Sequence, residues 1–332
     1  MTALSVLDQS PVPSGSTAAT ALHDTLALAQ AAERLGYRRY WLAEHHNTIS
    51  LAGTAPEVLA AAVASRTSSI RVGAGGVLLP YYSPLKVAEA FRVLHALFPG
   101  RIDLGIGRTP GADAVAAAAL QRGVSALDDE HHPDQVADLV GFLHDRTGPD
   151  HRFAGVRAMP DGAGAPGVWV LGSSSYSASL AAGMGLSYSF AHFISPAHGP
   201  QIMAAYRDRF RPSSFSPAPR ASVGVSVICA ETDAEAERLA TSQDRWRLRP
   251  EGAERGPLLS VEEAQAAPVP ELEQVLMTQH RSRRLTGAPD RVRDSLRSLA
   301  GAYGVDELVV VTICHDPKAR LRSYELLAEA FA

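Results

Sequence analysis

The chain of 332 residues has few cysteines, little net charge and no long apolar run. Its two cysteines, Cys229 and Cys314, both stand in apolar runs typical of strands, so we expect packed thiols and a reducing, cytoplasmic compartment. It has no apolar run of about 20 residues and no charged-then-apolar leader, so membrane spanning and secretion lose their sequence support. The net charge is only -4 and no long basic run carries aromatics, which argues against a nucleic-acid partner or a membrane-surface partner.

What the sequence does contain is an alternation of short apolar runs and longer helical patterns. Hydrophobic residues make up 46% of the chain and charged residues 20%, which is typical of a globular protein with a large core. The predicted strands are LSVLDQ, RRYWLAE, SIRVGAGGVLLP, RIDLGIG, GVWVLG, LSYSFAHF, ASVGVSVICA and DELVVVTIC. Because helices separate them, neighbouring strands must run parallel.

About eight such units in a chain of this length favour an α/β fold closed into a (β/α)8 TIM barrel over an open doubly wound sheet. We expect one domain over residues 1–332, and the pattern leaves room for a further strand. Two segments break the repeat. Asp145 to Pro166 predicts a long loop, and Gln243 to Pro270, which lacks periodicity, predicts a mobile lid that orders over the barrel mouth when a ligand binds.

Polar residues that end the predicted strands are candidates for a site, because the C-terminal ends of parallel barrel strands meet around one mouth. The rule collects Asp8, Gln9 and Ser10, then Glu44, His45 and His46, then Ala74 to Gly76, Gly107 to Thr109, Gly172 to Ser175, and His192. Adjacent strand residues point to opposite faces, so Glu44, His45 and His46 cannot all ligate one ion. No metal site is therefore predicted.

Five blocks of the sequence resemble the bacterial-luciferase-like flavin-dependent monooxygenases, and their order and spacing span nearly the whole chain. They are LSVLDQSPV, GYRRYWLAEHHN, the stretch from RVGAGGVLLP to LGIGRTPG, VWVLGSSSYSASLAAGMGL, and TGAPDRVRDSLRSLAGAYGVDELVVV. The blocks are most similar to the branch found in natural-product pathways. The resemblance implies a (β/α)8 barrel that binds reduced FMN from a separate, transiently bound flavin reductase, forms a homodimer, and oxidises a small organic substrate with O2 through a flavin C4a-peroxide.

Two alternatives to this function stay open. The superfamily also contains oxidoreductases that use the deazaflavin F420, in which a hydride moves and O2 takes no part. The chain could also be a flavin-binding partner subunit without catalysis. Within the favoured function, hydroxylation, Baeyer-Villiger insertion and epoxidation all fit the resemblance.

The resemblance assigns His45 and two glycines to the region of the flavin ring. His45 matches the family's active-site histidine, a general base or proton donor, and an imidazole suits this because its pKa lies near neutrality. The bare pattern also fits a strand-end histidine bonded to the backbone. Gly75 and Gly76 match a non-proline cis peptide beside the flavin ring, although a bulge that eases barrel curvature would also explain glycines here.

The resemblance places the FMN phosphate after the fourth and fifth strands. Arg108 supplies a fork of donors, and Gly172, Ser173, Ser174 and Tyr176 stand at the start of a helix, whose N-terminus favours an anion. A serine cluster at that point also fits an ordinary helix cap.

Three further residues at the strand ends are candidate substrate contacts, namely Asp8, Gln9 and His192. Gly107 stands where the light-emitting members of the family carry a reactive cysteine. This departure argues against light emission and suits a substrate larger than an aliphatic aldehyde.

Overall fold

The computed structural model describes residues 2–108, 111–120, 131–249, 255–266 and 268–332. In these ranges the strands are β1 (Ala3–Asp8), β2 (Arg39–Leu42), β3 (Arg71–Leu78), β4 (Ile102–Gly107), β5 (Gly167–Gly172), β6 (Ser187–Ala191), β7 (Ala221–Cys229), β8 (Arg284–Gly287) and β9 (Glu307–Val311). Every pairing among them is parallel. The eight predicted strands all form, with ends that differ by a few residues.

Eight of the strands close into a barrel. Pairing runs from β1 through β2, β3, β4, β5 and β6 to β7, and β9 then joins β7 to β1. The predicted (β/α)8 TIM barrel is confirmed. Closure places all eight C-terminal strand ends around one mouth, where sites form in this fold.

The remaining strand, β8, was not among the eight predicted strands. It lies beside the second half of β7, where Ser226 to Cys229 pair with it, while Val223 to Ser226 pair with β9. Its four residues, RLTG, include one large apolar side chain, so no apolar period marks it in the sequence.

Helices surround the barrel, and their amphipathic spacing explains how they pack. They are α1 (Ala18–Arg34), α2 (Pro56–Ala64), α3 (Pro84–Leu97), α4 (Ala114–Leu120), α5 (His132–Leu143), α6 (Ser175–Met184), α7 (Gly199–Asp208), α8 (Asp233–Arg247), α9 (Val261–Gln265), α10 (Glu271–Arg281), α11 (Pro289–Tyr303) and α12 (Pro317–Phe331). In α11 the buried residues recur every three or four positions, at Val292, Leu296, Ala300 and Tyr303. Within the described ranges, no helix is both long and apolar enough to cross a bilayer.

A buried charge network fills the barrel interior near the N-terminal strand ends. Arg39 lies 2.5 Å from the Glu307 carboxylate and 2.6 Å from the Asp103 carboxylate, and all three side chains are almost fully buried. The Arg39 guanidinium carbon is also 4.7 Å from the centre of the Trp169 ring. Paired charges of this kind are tolerated in a protein interior because each charged group is hydrogen-bonded. The network fills the N-terminal end of the barrel, and the cavity lies at the C-terminal end.

Of the two segments that break the strand and helix repeat, one has the predicted structure and the other does not. No helix or strand interrupts residues 144–166, so the predicted long loop is confirmed. Gln243 to Pro270 was predicted to lack helical periodicity, and this is wrong, because α8 runs to Arg247 and α9 lies inside the segment. The start of α9 is a capping box, in which Ser260 accepts from the Glu263 N–H and the Glu263 side chain accepts from the Ser260 N–H. That S-x-x-E pattern is a readable signal for a helix start.

Both cysteines are buried free thiols, as predicted. Cys229 ends β7 and Cys314 follows β9. Burial raises the pKa of each thiol to about 12, so both remain protonated at neutral pH.

Candidate active site

A cavity of about 320 Å³ opens at the C-terminal ends of the barrel strands, a volume typical of small-molecule sites. Its walls come from nearly every strand of the barrel. The strand ends contribute Leu7, Gln9, Trp41, His45, Gly75, Gly76, Leu78, Gly107, Arg108, Leu171, Gly172, Ser189, Ala191, Gly224 and Val309. The sequence-predicted site residues Gln9, His45, Gly75, Gly76, Arg108 and Gly172 therefore lie together around one space.

The three residues of the EHH sequence after β2 have different surroundings. His45 lines the cavity, and its backbone N–H donates to the Gly53 carbonyl at 2.9 Å. His46 instead has its Nε2 2.7 Å from a Glu44 carboxylate oxygen, which also accepts from the Tyr82 hydroxyl at 2.6 Å. The other Glu44 oxygen accepts from the Leu78 N–H. Glu44 and His46 thus brace the turn that presents His45.

The glycines of β3 reach the cavity through a bulge. Gly75 pairs with Gly105 and Val77 with Ile106, so Gly76 is the extra residue in the ladder. The expected cis peptide between Gly75 and Gly76 is present. A Cβ on Gly76 would lie 2.7 Å from the Gly105 carbonyl, and one on Gly75 would lie 2.8 Å from the Leu7 and Trp41 side chains. Packing of the protein itself therefore requires glycine at both positions, and their backbone forms part of the cavity wall.

Gly107 differs from these glycines. A Cβ added there would meet the Leu78 side chain at 3.6 Å, an ordinary contact, so the surrounding packing does not demand glycine. Because Gly107 lines the cavity, its missing side chain leaves room inside the site.

Arg108 and the start of α6 form a cationic corner beside the cavity. Arg108 lines the cavity, and its guanidinium carbon lies 4.5 Å from the centre of the Tyr176 ring. The Tyr176 hydroxyl is 3.0 Å from Nδ1 of His132 in α5. Ser174 is the N-cap of α6 and accepts from the Ser177 N–H. Ser173, Ser174 and Tyr176 do not line the cavity but adjoin Gly172, which does.

Asp8, predicted as a substrate contact, does not line this cavity. Leu7 and Gln9 line the cavity, so the alternation along β1 turns Asp8 to the outer face. There Asp8 is fully buried, lies 2.6 Å from the Arg320 guanidinium and accepts from the Tyr40 hydroxyl. Burial raises the pKa of Asp8, but Arg320 and these hydrogen bonds outweigh it and hold that pKa below its usual value.

His192, also predicted as a substrate contact, does not line the cavity either. Ala191 and Phe193 line the cavity, whereas His192 points outward and has its Nδ1 2.9 Å from the Tyr303 hydroxyl of α11. Burial lowers the pKa of His192, so it stays neutral at pH 7. Its role in this structure is to tie the end of β6 to α11.

Sequence reasoning missed the basic and aromatic residues that line the mouth on the β7 and β8 side. They are Trp246, Arg247, Arg255, His280 and Arg283. The expectation that the segment after residue 243 covers the mouth agrees with its contribution to the cavity wall. Residues 250–254 and 267 of that segment lie outside the described part of the chain, and the ordering of the segment on ligand binding stays a prediction. The arginines of RWRLRP are a sequence signal for a basic segment. Nothing in the local sequence predicts that they lie near His280 and Arg283 in the fold.

Among the residues that the structure describes, no three His, Cys, Asp or Glu side chains are grouped as a metal site would require. The polar groups that line the cavity are the imidazoles of His45 and His280, the amide of Gln9, the carboxylate of Glu44, the hydroxyl of Ser189 and several guanidinium groups, beside an apolar base.

Comparisons with known proteins agree with this architecture. A family model described as luciferase-like monooxygenase matches residues 2–307. The protein YwcH of Bacillus subtilis (strain 168) is 47% identical over 333 residues and is covered in full, as is this chain. The N-acetyl-S-alkylcysteine monooxygenase of the same strain is 35% identical, over 99% of this chain and 98% of that protein. The crystal structure of apo-MsnO8 is 44% identical with a TM-score of 0.90, over 100% of this chain and 98% of that chain.

The match of the family model over most of the chain and the relatives that align end to end lead to one conclusion. The chain belongs to the luciferase-like monooxygenase family, and its enzyme class is that of a flavin-dependent monooxygenase.

Proposed function

We propose that this protein binds reduced FMN, supplied by a separate reductase that docks transiently, and uses O2 to oxidise a small organic molecule of a natural-product pathway. The observation that carries the proposal is the position of Arg108 and the N-terminus of α6 at the edge of a cavity whose floor is apolar. A phosphate and a ring system are the two halves of FMN, and the two regions match them in chemistry.

The phosphate half fits the cationic corner. The α6 helix begins at Ser175 with Ser174 as its N-cap, and the first backbone N–H groups of a helix attract an anion. Arg108 adds a fork of charged donors at the same edge of the cavity. Its position over the Tyr176 ring restricts the directions it can take.

The ring half fits the cavity floor. Trp41, Leu171 and Leu7 supply apolar surface, while Gly75 and Gly76 let a planar ring approach the backbone without a side chain between them. An apolar, shaped wall of this kind excludes water from reactive groups held inside.

When bound, reduced FMN supplies the two electrons with which one atom of O2 enters the substrate while the other leaves as water. The part assigned to this chain is to position the reactants and to move protons. His45 lines the cavity on the β2 side, where a ring nitrogen can hold or deliver a proton to a group in that space. Gln9 lines the same cavity and offers a neutral amide for orienting a substrate.

The relative named N-acetyl-S-alkylcysteine monooxygenase supports oxidation of a small polar organic molecule as the kind of reaction. The open position at Gly107 leaves additional room next to Arg108, which suits a substrate of some size.

Anaerobic titration with FMNH2, followed by exposure to O2 with candidate substrates and a flavin reductase, tests the proposal. We expect FMN to bind more tightly than riboflavin and oxygen uptake to yield oxidised product. Tight binding of F420 with hydride transfer in the absence of O2 would replace the proposal by the deazaflavin alternative. Flavin binding without turnover by the purified chain would identify a partner subunit instead.

A further inference from the structure

The side of the cavity formed by β6, β7 and β9 has no part in the FMN assignment above. Gly75, Gly76 and Arg108, which that assignment uses, come from β3 and the end of β4. In the closed ring of eight strands β6 lies opposite β2, because the pairing order places four steps between them in either direction. We call the cavity-lining residues of the β6, β7 and β9 side the far wall, and those used below are Ser189, Phe193, Trp246 and Val309.

Ser189 on the far wall has a hydroxyl proton without an acceptor. Ser189 lies in β6 between Tyr188 and Phe190, which pack outward in the main core, so its own side chain points into the barrel and lines the cavity. Its Oγ accepts from the Ser222 hydroxyl of β7 at 2.8 Å, and both side chains are buried. Because the Ser222 proton occupies that contact, the Ser189 proton must point elsewhere. Among the residues that the structure describes, none accepts it.

The indole N–H of Trp246 is a second unsatisfied donor on the far wall. Trp246 lies in the last turn of α8, is 6% exposed and lines the cavity. It belongs to the apolar cluster inside the barrel that contains Leu7, Val309 and Val311. Its Nε1 is buried and has no hydrogen-bond partner within the described ranges. Buried donors are nearly always hydrogen-bonded in native proteins, so the missing acceptor points to a molecule held in the cavity.

The surroundings of these two donors favour one kind of acceptor. Leu171, Phe193 and Val309 make the cavity wall around them apolar. A carbonyl oxygen has two lone pairs and no proton, so it accepts from neutral donors and needs no acceptor in return. A carboxylate would lose more hydration against an apolar wall, and a hydroxyl would bring a proton that needs an acceptor of its own. An uncharged carbonyl therefore matches the far wall best.

These observations, which build on the proposed function, lead to the substrate class. We infer that the substrate carries an uncharged carbonyl group, which accepts hydrogen bonds from the Ser189 hydroxyl and the Trp246 N–H on the far wall. The rest of the molecule then extends across the cavity toward His45 on the β2 side. The two donors determine specificity by selecting substrates that carry this acceptor. The flavin ring also has carbonyl oxygens, so the test must separate the substrate from the cofactor.

Three probes of similar size test the inference without turnover. Acetophenone carries the carbonyl, α-methylstyrene has a CH2 group in place of the oxygen, and benzoate carries a charge. Equilibrium dialysis against the intact chain, with and without added FMN, gives the Kd of each. The variants are Ser189→Ala and Trp246→Phe. Ser187→Ala is the matched control, because Ser187 is buried on the same face of β6 but does not line the cavity.

We expect wild-type protein to bind acetophenone more tightly than α-methylstyrene. Ser189→Ala and Trp246→Phe should each raise the acetophenone Kd about threefold to tenfold relative to that of α-methylstyrene, the range for one neutral hydrogen bond. Ser187→Ala should leave the ratio unchanged. No preference in the wild type, or an unchanged ratio in either variant, would overturn the inference. Tighter binding of benzoate than of acetophenone, lost in both variants, would also overturn it, because the donors would then serve an anion.

The indole N–H resonances of the wild-type chain give a second measurement, which does not depend on the folding of a variant. In ¹H–¹⁵N spectra, acetophenone should move the Trp246 N–H proton downfield of its position with α-methylstyrene, because a hydrogen bond to oxygen deshields the proton. The comparison of the two probes removes the effect of their shared aromatic ring. The Trp41 N–H already donates to Asp103 at 3.2 Å and should show no such difference. Equal Trp246 positions with the two probes would contradict the inference.

Addition of FMN alone separates the two sources of carbonyl oxygen. If FMN produces the downfield shift and acetophenone then has no advantage over α-methylstyrene, the donors serve the flavin ring and the inference fails. If acetophenone is preferred but no flavin binds, the carbonyl site stands and the proposed function fails. Flavin-dependent oxidation without any carbonyl preference would support the proposed function and overturn the inference.

Discussion

The guanidinium of Arg108 stacks on the ring of Tyr176, with 4.5 Å between the guanidinium carbon and the ring centre. Arg108 directly follows β4, and Tyr176 lies in the first turn of α6. The stack therefore joins the end of one strand to the N-terminus of the helix after the next strand. An anion bound at this point would meet a charged fork and the first helical amides together.

The first prediction concerns this corner. Arg108→Ala and Ser174→Ala should each weaken FMN binding relative to riboflavin by about 1 to 3 kcal/mol, because each removes a contact to a charged phosphate. Tyr176→Phe keeps the ring under Arg108 and loses only the hydroxyl near His132, so it should change the ratio little. Flavin fluorescence titration gives the ratio, and equal losses for the two flavins would contradict the assignment.

The second prediction concerns His45. His45→Ala should leave FMN affinity nearly intact but lower product formation about 10²- to 10⁴-fold, the range for a positioned acid or base. Oxygen consumption should continue, with hydrogen peroxide released in place of product. His45→Asn should do little better, since an amide cannot exchange a proton at neutral pH.

His46→Ala is the control for that experiment, because His46 contacts Glu44 and not the cavity. It should lower thermal stability and retain coupling in the folded protein. Full coupling in His45→Ala would show that the imidazole serves only the local structure.

The third prediction compares two glycines on the same face of β4. A Cβ on Gly105 would lie 2.4 Å from the Ala74 carbonyl, whereas the nearest atoms to one on Gly107 would be the Leu78 side chain at 3.6 Å and the Val77 carbonyl at 4.0 Å. Gly105→Ala should therefore reduce the free energy of unfolding by about 3 kcal/mol, at the upper end of overpacking costs. Gly107→Ala should change it by less than about 0.5 kcal/mol while narrowing the cavity. Urea unfolding measures both, and similar losses would refute the difference in packing.

The fourth prediction concerns the Asp8–Arg320 ion pair. Asp8→Asn leaves the buried Arg320 without its countercharge and should cost about 3 to 5 kcal/mol at pH 7. Folding lowers the pKa of Asp8, so the stabilisation is present above the unfolded-state value of about 3.9 and is lost as pH falls toward the lower folded-state value. Chemical unfolding between pH 7 and pH 3 should show this loss in the wild type and its absence in Asp8→Asn. Weaker flavin binding by the folded Asp8→Asn variant would show instead that Asp8 contributes to the binding site.

The barrel follows from local properties of the sequence. Alternating apolar runs and helical periods specify the type of each element, and parallel crossovers then require strand ends to converge, which brought Gln9, His45 and Arg108 to one mouth. The exception is instructive. β8 carries one large apolar residue in four, and it forms because β7 extends beyond β9 and offers it an edge.

Tertiary structure decided which side of each strand faces the cavity. Alternation predicts that Asp8 and Gln9 point in opposite directions but not which of them points inward, since a polar residue can serve either face. Barrel closure and the ion pair with Arg320 direct Asp8 away from the cavity. The hydrogen bond between His192 and the Tyr303 hydroxyl directs His192 toward α11 in the same way. The basic side chains at the mouth also depend on packing, because residues 247 and 283 are distant in sequence and line one cavity only because α8 and α10 pack against β8. Charge convergence of this kind is a long-range property, so no local period of the sequence encodes it.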